Sequence, residues 1–190
     1  SKIMSVTEKL MAPGQFNLTL NKETTPNNII NQIDAWGHIV IVPGDLNVQE
    51  FSDSTLLDSA RYTGIVYSLE MGDESTVLVN GQGLVAYLGD GDTRGMPIAQ
   101  TGGASGVRAY NNKTLEQTLD GTGTPKGILR QENGSQGPIR KGTITEPTDN
   151  STYTGKHYTE SVLKALQFIC QDLGVEFKIS TKGLLDAGPS

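Results

Sequence analysis

The sequence predicts a mainly β fold with some α, in two parts. A small antiparallel β-barrel domain is expected over residues 1–88, and a second, α+β domain over residues 89–190. Three observations lead there. Short runs with two-residue alternation fill the first half, as in Phe16-Asn-Leu-Thr-Leu20 and Ile65–Glu70. Turn chemistry separates those runs, with Pro13-Gly14, Pro43-Gly44-Asp45 and Met71-Gly72-Asp73-Glu74 between them. Near the end stands one strong helix–strand unit, Val162–Ile179.

Taken in order, Ile3–Val6 reads as a short first strand. Ala12-Pro13-Gly14 reads as a turn, and Phe16, Leu18 and Leu20 as the inward face of a second strand. Thr25-Pro26 has the form of a helix start, and Ile29, Ile30, Ile33 and Trp36 follow at helical spacing. Gly37 is expected to stop that helix in a left-handed conformation. His38–Val42 is then a continuous apolar run, the pattern of a buried strand. Leu46–Ser59 reads as a polar loop with a helical turn at Leu56-Leu57. The meander Arg61–Asn80 follows, with Thr76, Leu78 and Asn80 on one face of its return strand and Val77 and Val79 on the other. Leu84, Val85 and Leu88 suggest a helical turn packed on it.

The character changes at Gly89. Thirteen of the 23 glycines and four of the eight prolines lie between Gly89 and Gly155. That composition predicts an extended loop, ordered by something outside the chain. Ile128-Leu129 and Ile139–Ile144 are the segments expected to pair with a neighbour. The one island is a short helix at Thr114–Asp120, with Leu115 and Leu119 four apart. After Tyr158, Thr159 is the expected cap of a helix with the stripe Val162, Leu166, Ile169 and Leu173. Gly174 is its stop, and Val175, Phe177 and Ile179 alternate as a strand. Asp186–Ser190 reads as the entry to a further element of a chain that continues.

The net charge is −6, without long runs of one sign. This opposes a phosphate-gripping surface and an anionic-membrane binder, both of which need clustered Lys and Arg. No apolar run approaches the roughly 18 residues of a spanning helix. A single cysteine, Cys170, gives no internal disulfide, and Ser1-Lys2-Ile3-Met4 lacks the pattern of a secretion signal. The expected compartment is a reducing cytoplasm.

Gly89-Asp90-Gly-Asp92-Thr-Arg94-Gly95 puts two carboxylates two apart. The calcium-loop pattern fails there, because Arg94 and Thr101 occupy ligand positions. His38 and His157 have no companions at metal-ligand spacing, and Cys170 lies beside an apolar helix stripe. Gly121–Gly127 holds Lys126 among glycines without phosphate-loop spacing. Gly81-Gln-Gly83-Leu-Val-Ala86 partly matches a dinucleotide fingerprint, with no second parallel strand to complete it. The expectation is no catalytic residue, no metal ligand and no cofactor.

The order of these pieces resembles the N-terminal half of phage tail hub proteins, the baseplate hub or minor tail proteins of the tail tip. The residues that carry the resemblance are Pro13-Gly14-Gln15-Phe16, the strand His38–Val42, Thr63-Gly64-Ile65-Val66 and Gly81-Gln-Gly-Leu84. To these is added the helix and Gly-Val-x-Phe strand of Val162–Ile179. The resemblance implies a non-enzymatic virion protein made in the bacterial host cytoplasm. It implies a homotrimer forming a pseudo-sixfold ring of paired β-barrel domains. That ring would join the tail tube and distal tail protein to the tip and fibre or spike proteins, and would contact the tape measure protein. Phage DNA would pass through without specific binding, which an acidic lumen favours. No membrane contact is implied.

Two other readings compete. A carbohydrate- or receptor-binding module would bring Tyr110, Tyr153 and Tyr158 to one surface. A glycan hydrolase would use two carboxylates from Asp90, Asp92 and Glu116, about 5 to 9 Å apart.

Overall fold

The computed structural model describes residues 2–9, 11–25, 27–31, 33, 37–42, 58–73, 75–89, 107–130, 134–137, 139–158 and 160–190. The chain divides into two compact units, Ser1–Leu84 and Val85–Ser190.

The first unit is one antiparallel sheet. Its strands are β1 (Lys2–Lys9), β2 (Ala12–Asn21), β3 (His38–Ile41), β4 (Tyr62–Met71) and β5 (Thr76–Gly83), in the order β1-β2-β5-β4-β3. The sheet is mainly β in the expected sense, but it curls into a half-barrel, with β1 and β3 at the two ends of the order. Alternation decides its faces. Phe16, Leu18 and Leu20 of β2 and Val77 and Val79 of β5 are buried, and they pack with Tyr62 and Val66 into one core. Phe16 meets Tyr62 edge to face, with ring centroids 5.7 Å apart.

Several local expectations are corrected. Ala12-Pro13-Gly14 begins β2 rather than turning; the reversal falls at Met11, whose φ is 56°. Pro13 lies opposite the register break between Thr7 and Lys9, a bulge, where a strand admits proline. The first helix, α1, spans only Asn27–Ile30; asparagines and β-branched isoleucines are weak helix formers. Pro26 and Trp36 lie outside the described residues. The Gly37 carbonyl accepts from Val66 N at 2.9 Å, extending the β3–β4 ladder. β3 is an end strand and half-exposed rather than buried. In β4 the alternation is broken by a register shift between Val66 and Ser68. Ile65 and Val66 are therefore both buried while Leu69 and Met71 are exposed. The hairpin turn at 72–75 is found, with Asp73 accepting from Ser75 N, Ser75 Oγ and Thr76 Oγ1. Those bonds hold the Asp73 carboxyl below its usual range, the bond from Thr76 most of all. The turn at Leu46–Ser59 lies largely outside the described residues.

A five-residue 3₁₀ helix, Leu84–Leu88, carries the chain across the division, and all five side chains are buried. The second unit has a two-stranded antiparallel sheet of β6 (Arg108–Lys113) and β8 (Tyr153–His157). It also has a three-stranded sheet in the order β7-β10-β9, from β7 (Arg140–Ile144), β9 (Glu176–Ile179) and β10 (Leu184–Gly188). Helices α2 (Leu115–Asp120) and α3 (Val162–Leu173) complete it.

The expected long loop is therefore replaced, from residue 107 onward, by packed structure within the chain. Ile128, Leu129 and Ile139 are fully buried in their own unit rather than offered to a neighbour. Ile128 N and Leu129 N donate to the carbonyls of Thr118 and Leu119 at 2.9 and 3.0 Å, laying that segment along α2. β7 pairs in parallel with β10. Asp186–Gly188, read as an entry to something further, lies in β10 at the centre of its sheet. Helix α3 buries the predicted stripe and ends at Gly174 in the left-handed conformation, φ 62°. Its cap is Ser161, not Thr159: Ser161 Oγ accepts from Lys164 N at 3.2 Å.

Candidate functional site

The densest polar structure surrounds α2, and it is built from distant parts of the chain. Thr114 caps the helix, and the Thr114–Gln117 pair forms a capping box. A second cap comes from Glu146, which follows β7. Its carboxylate accepts from Leu115 N at 2.8 Å and Glu116 N at 3.0 Å. A carboxylate at this end also meets the positive end of the helix dipole. Glu116 itself reaches sideways to pair with Lys141 of β7, and its hydrogen bond raises the Lys141 pKa. Both partners are well exposed, so the pair contributes little stability.

At the other end of α2, Asp120 is nearly buried. Its carboxylate takes Arg130 Nε and Nη2, both at 2.9 Å, and Gln136 Nε2 at 3.2 Å. Arg130 Nη1 continues to the Gly134 carbonyl at 2.9 Å. Beneath them Arg108 is 1% exposed and donates to the carbonyls of Lys126, Gly127 and Arg130. Two arginine forks thus stitch the glycine-rich turn 121–130 to β6 and α2. Its carbonyls are turned to those forks, and Lys126 Nζ folds back onto the Thr122 carbonyl. The segment acts as a turn and not as a phosphate cradle.

A cleft of 490 Å³ lies over this network, walled by Lys113, Glu116, Asp120, Thr122, Arg130 and Lys141 among others. Glu116 and Asp120 sit one helical turn apart in it. Glu116 is paired with Lys141 and Asp120 with Arg130. Asp90 and Asp92, the other carboxylates of the glycan hydrolase reading, lie outside the described residues, as does Arg94.

Under β8 the aromatic residues meet, but inward. Tyr153 Oη and His157 Nε2 are 2.8 Å apart, and their rings stack at 5.7 Å. Tyr110 closes on both at 6.1 Å. His157 Nδ1 meets Glu160 Oε1 at 2.7 Å, and Glu160 Oε2 accepts from Tyr158 N at 2.8 Å. Tyr153, His157 and Glu160 thus form one continuous hydrogen-bonded chain leading from the core to the approach of α3. Burial pushes the Tyr110 phenol up to about 12, with the Arg108 charge pulling the other way. Tyr158 stands apart, 53% exposed. The three tyrosines therefore form no common binding surface. His38 lies at the exposed start of β3. Cys170 is fully buried, and burial pushes its thiol up to about 12. Gly81 and Gly83 lie within β5, where a dinucleotide loop would need them beyond the strand. Among the described residues no three His, Cys, Asp or Glu gather as a metal site, and no helix is long and apolar enough to cross a membrane.

Sequence reasoning missed Arg108, Arg130 and Glu146. Apart from Gly134, beside Arg130, their partners lie 10 to 31 positions away, so no local spacing could reveal them.

No protein-family model and no curated protein matches the sequence. Solved structures do match. The fold is similar to that of a prophage tail protein. This is the 43 kDa tail protein of prophage MuSo2 from Shewanella oneidensis, known from a crystal structure; the TM-score is 0.53 at 19% identity. The likeness covers 98% of this chain and 49% of the tail protein, so the chain spans about half its length. At that identity the MuSo2 tail protein speaks for the fold, including the second unit, whose glycine-rich composition had concealed it.

Proposed function

We propose that this chain is a structural component of a phage tail, the hub-ring subunit that its sequence resembles. The observation that carries the proposal is the likeness in fold to the MuSo2 tail protein over 98% of the chain. In this reading three copies form a pseudo-sixfold ring at the tail tip. The ring joins the tail tube and distal tail protein to the tip or fibre proteins, meets the tape measure protein and lets DNA pass. The net charge of −6 supports a lumen that repels phosphates.

The test is electron microscopy of purified virions labelled with an antibody raised against the chain. Label at the distal end of the tail is expected. Label elsewhere on the particle would overturn the hub role, and its absence from the particle would overturn the tail role. Sedimentation of the purified chain tests the trimer separately.

A further inference from the structure

Strand β8 is paired with β6 along one edge, and among the described residues no strand pairs with the other. A groove of 270 Å³ runs beside it. Tyr153 and His157 point to the buried face of β8, and Thr154 and Lys156 to the exposed face. Yet all four line the groove, and a groove lined from both faces of a strand lies along its edge. Helix α3 supplies the opposite wall through Phe168 and Asp172, one helical turn apart.

Three features define what fits there. An open strand edge presents backbone N–H and C=O groups at alternate residues, which only another extended backbone can match along its length. Phe168 is 50% exposed on a helix that otherwise turns its large apolar side chains inward. Lys156 on the strand side and Asp172 on the helix side are exposed and, among the described residues, in no ion pair. Glu160 is already committed to His157 and Tyr158. The volume falls below the roughly 300–1,000 Å³ of small-molecule pockets, which argues against a drug-sized ligand.

We propose that this groove takes an extended segment of another protein, added to β8 as a third strand of the β6–β8 sheet. One apolar side chain of that segment rests on Phe168. An acidic residue faces Lys156 and a basic one faces Asp172, and this charge order sets the direction in which the segment lies. The inference rests on the groove and stands independently of the tail assignment.

The full chain, immobilised, is panned against a displayed library of random peptides, and the enriched peptides are made synthetically. Enriched peptides should alternate apolar with polar residues. They should protect the outward amides of β8 from hydrogen exchange and lose at least about tenfold in affinity for Phe168→Glu. Lys156→Glu should weaken peptides with an acidic residue at the facing position, and exchanging that residue for Lys should restore binding. Both substitutions are at exposed positions, where a change of side chain leaves the fold in place. Failure to enrich any peptide over a blank surface would overturn the proposal. So would peptides that bind Phe168→Glu unchanged. Self-association that Phe168→Glu abolishes, without peptide binding, would assign the groove to a second copy and overturn the partner named here.

Discussion

Replacing Glu146 by Ala tests how the second unit is held together. The carboxylate accepts from the first two backbone N–H groups of α2, 2.8 and 3.0 Å away, across 31 and 30 residues of sequence. Capping side chains contribute about 1 kcal/mol, and hydrogen bonds to charged groups about 1.5–3 kcal/mol. The Glu116 N–H is exposed and is rehydrated once the carboxylate is gone, while the Leu115 N–H is only partly so. The expected loss for Glu146→Ala is therefore about 2 kcal/mol. For Glu146→Gln, which keeps one acceptor without the charge, it is about half that. Urea unfolding followed by circular dichroism reads both: the midpoint should fall with the slope unchanged. Thr114→Ala should cost about 1 kcal/mol and couple with Glu146→Ala, since both act on the same helix end. A Glu146→Ala loss within about 0.5 kcal/mol, the scale of an ordinary surface change, would refute the cap. Equal losses for Ala and Gln would show that acceptor geometry is not its source.

Other expectations follow from the same structure. Gly81→Ala should unfold the first unit, because a Cβ there would stand 2.2 Å from the Ile65 carbonyl oxygen and 2.4 Å from the Phe16 ring. Gly174→Ala meets open space and suffers only its φ of 62°, so about 1–2 kcal/mol is expected, with Gly174→Asn milder; paired thermal melts separate the two cases. Cys170 should resist a thiol reagent at pH 8 until the unit unfolds, and labelling at the rate of an exposed thiol would contradict its burial. The Tyr110 phenol sits at about 12 in the fold against about 10 unfolded. Its contribution is thus fully present below pH 10 and lost as pH rises through 12. Urea midpoints measured across that window should fall, and Tyr110→Phe should flatten the fall.

The parts of the fold legible in the sequence are those whose cause is local. Phe16, Leu18 and Leu20 announced β2 because burial on one face imposes a period of two. Val162, Leu166, Ile169 and Gly174 announced α3 and its stop for the analogous helical reason. Where the cause is distant, composition misled. Residues 107–155 read as loop because their order comes from Arg108, Arg130 and Glu146 reaching across the chain to backbone groups. The Ile65–Glu70 alternation failed because a bulge is a property of the paired strands, not of one strand's residue types. The partners of His157, Tyr153 and Glu160, belong to a strand start and a helix approach that no periodicity links.

The placement of β10 has a consequence for how the molecule is made. Residues 184–188 form the middle strand of the β7-β10-β9 sheet, so β7 and β9 have no bond to each other until the last-synthesised of the three slides between them. On the ribosome β7, emerging some forty residues earlier, must wait with its ladder groups open, and a parallel, non-local pairing of this kind is slow to close. Until Leu184–Gly188 is in place the three-stranded sheet has two flanks and no centre, so β7 and β9 stay exposed to proteases longer than any other paired strand of that sheet.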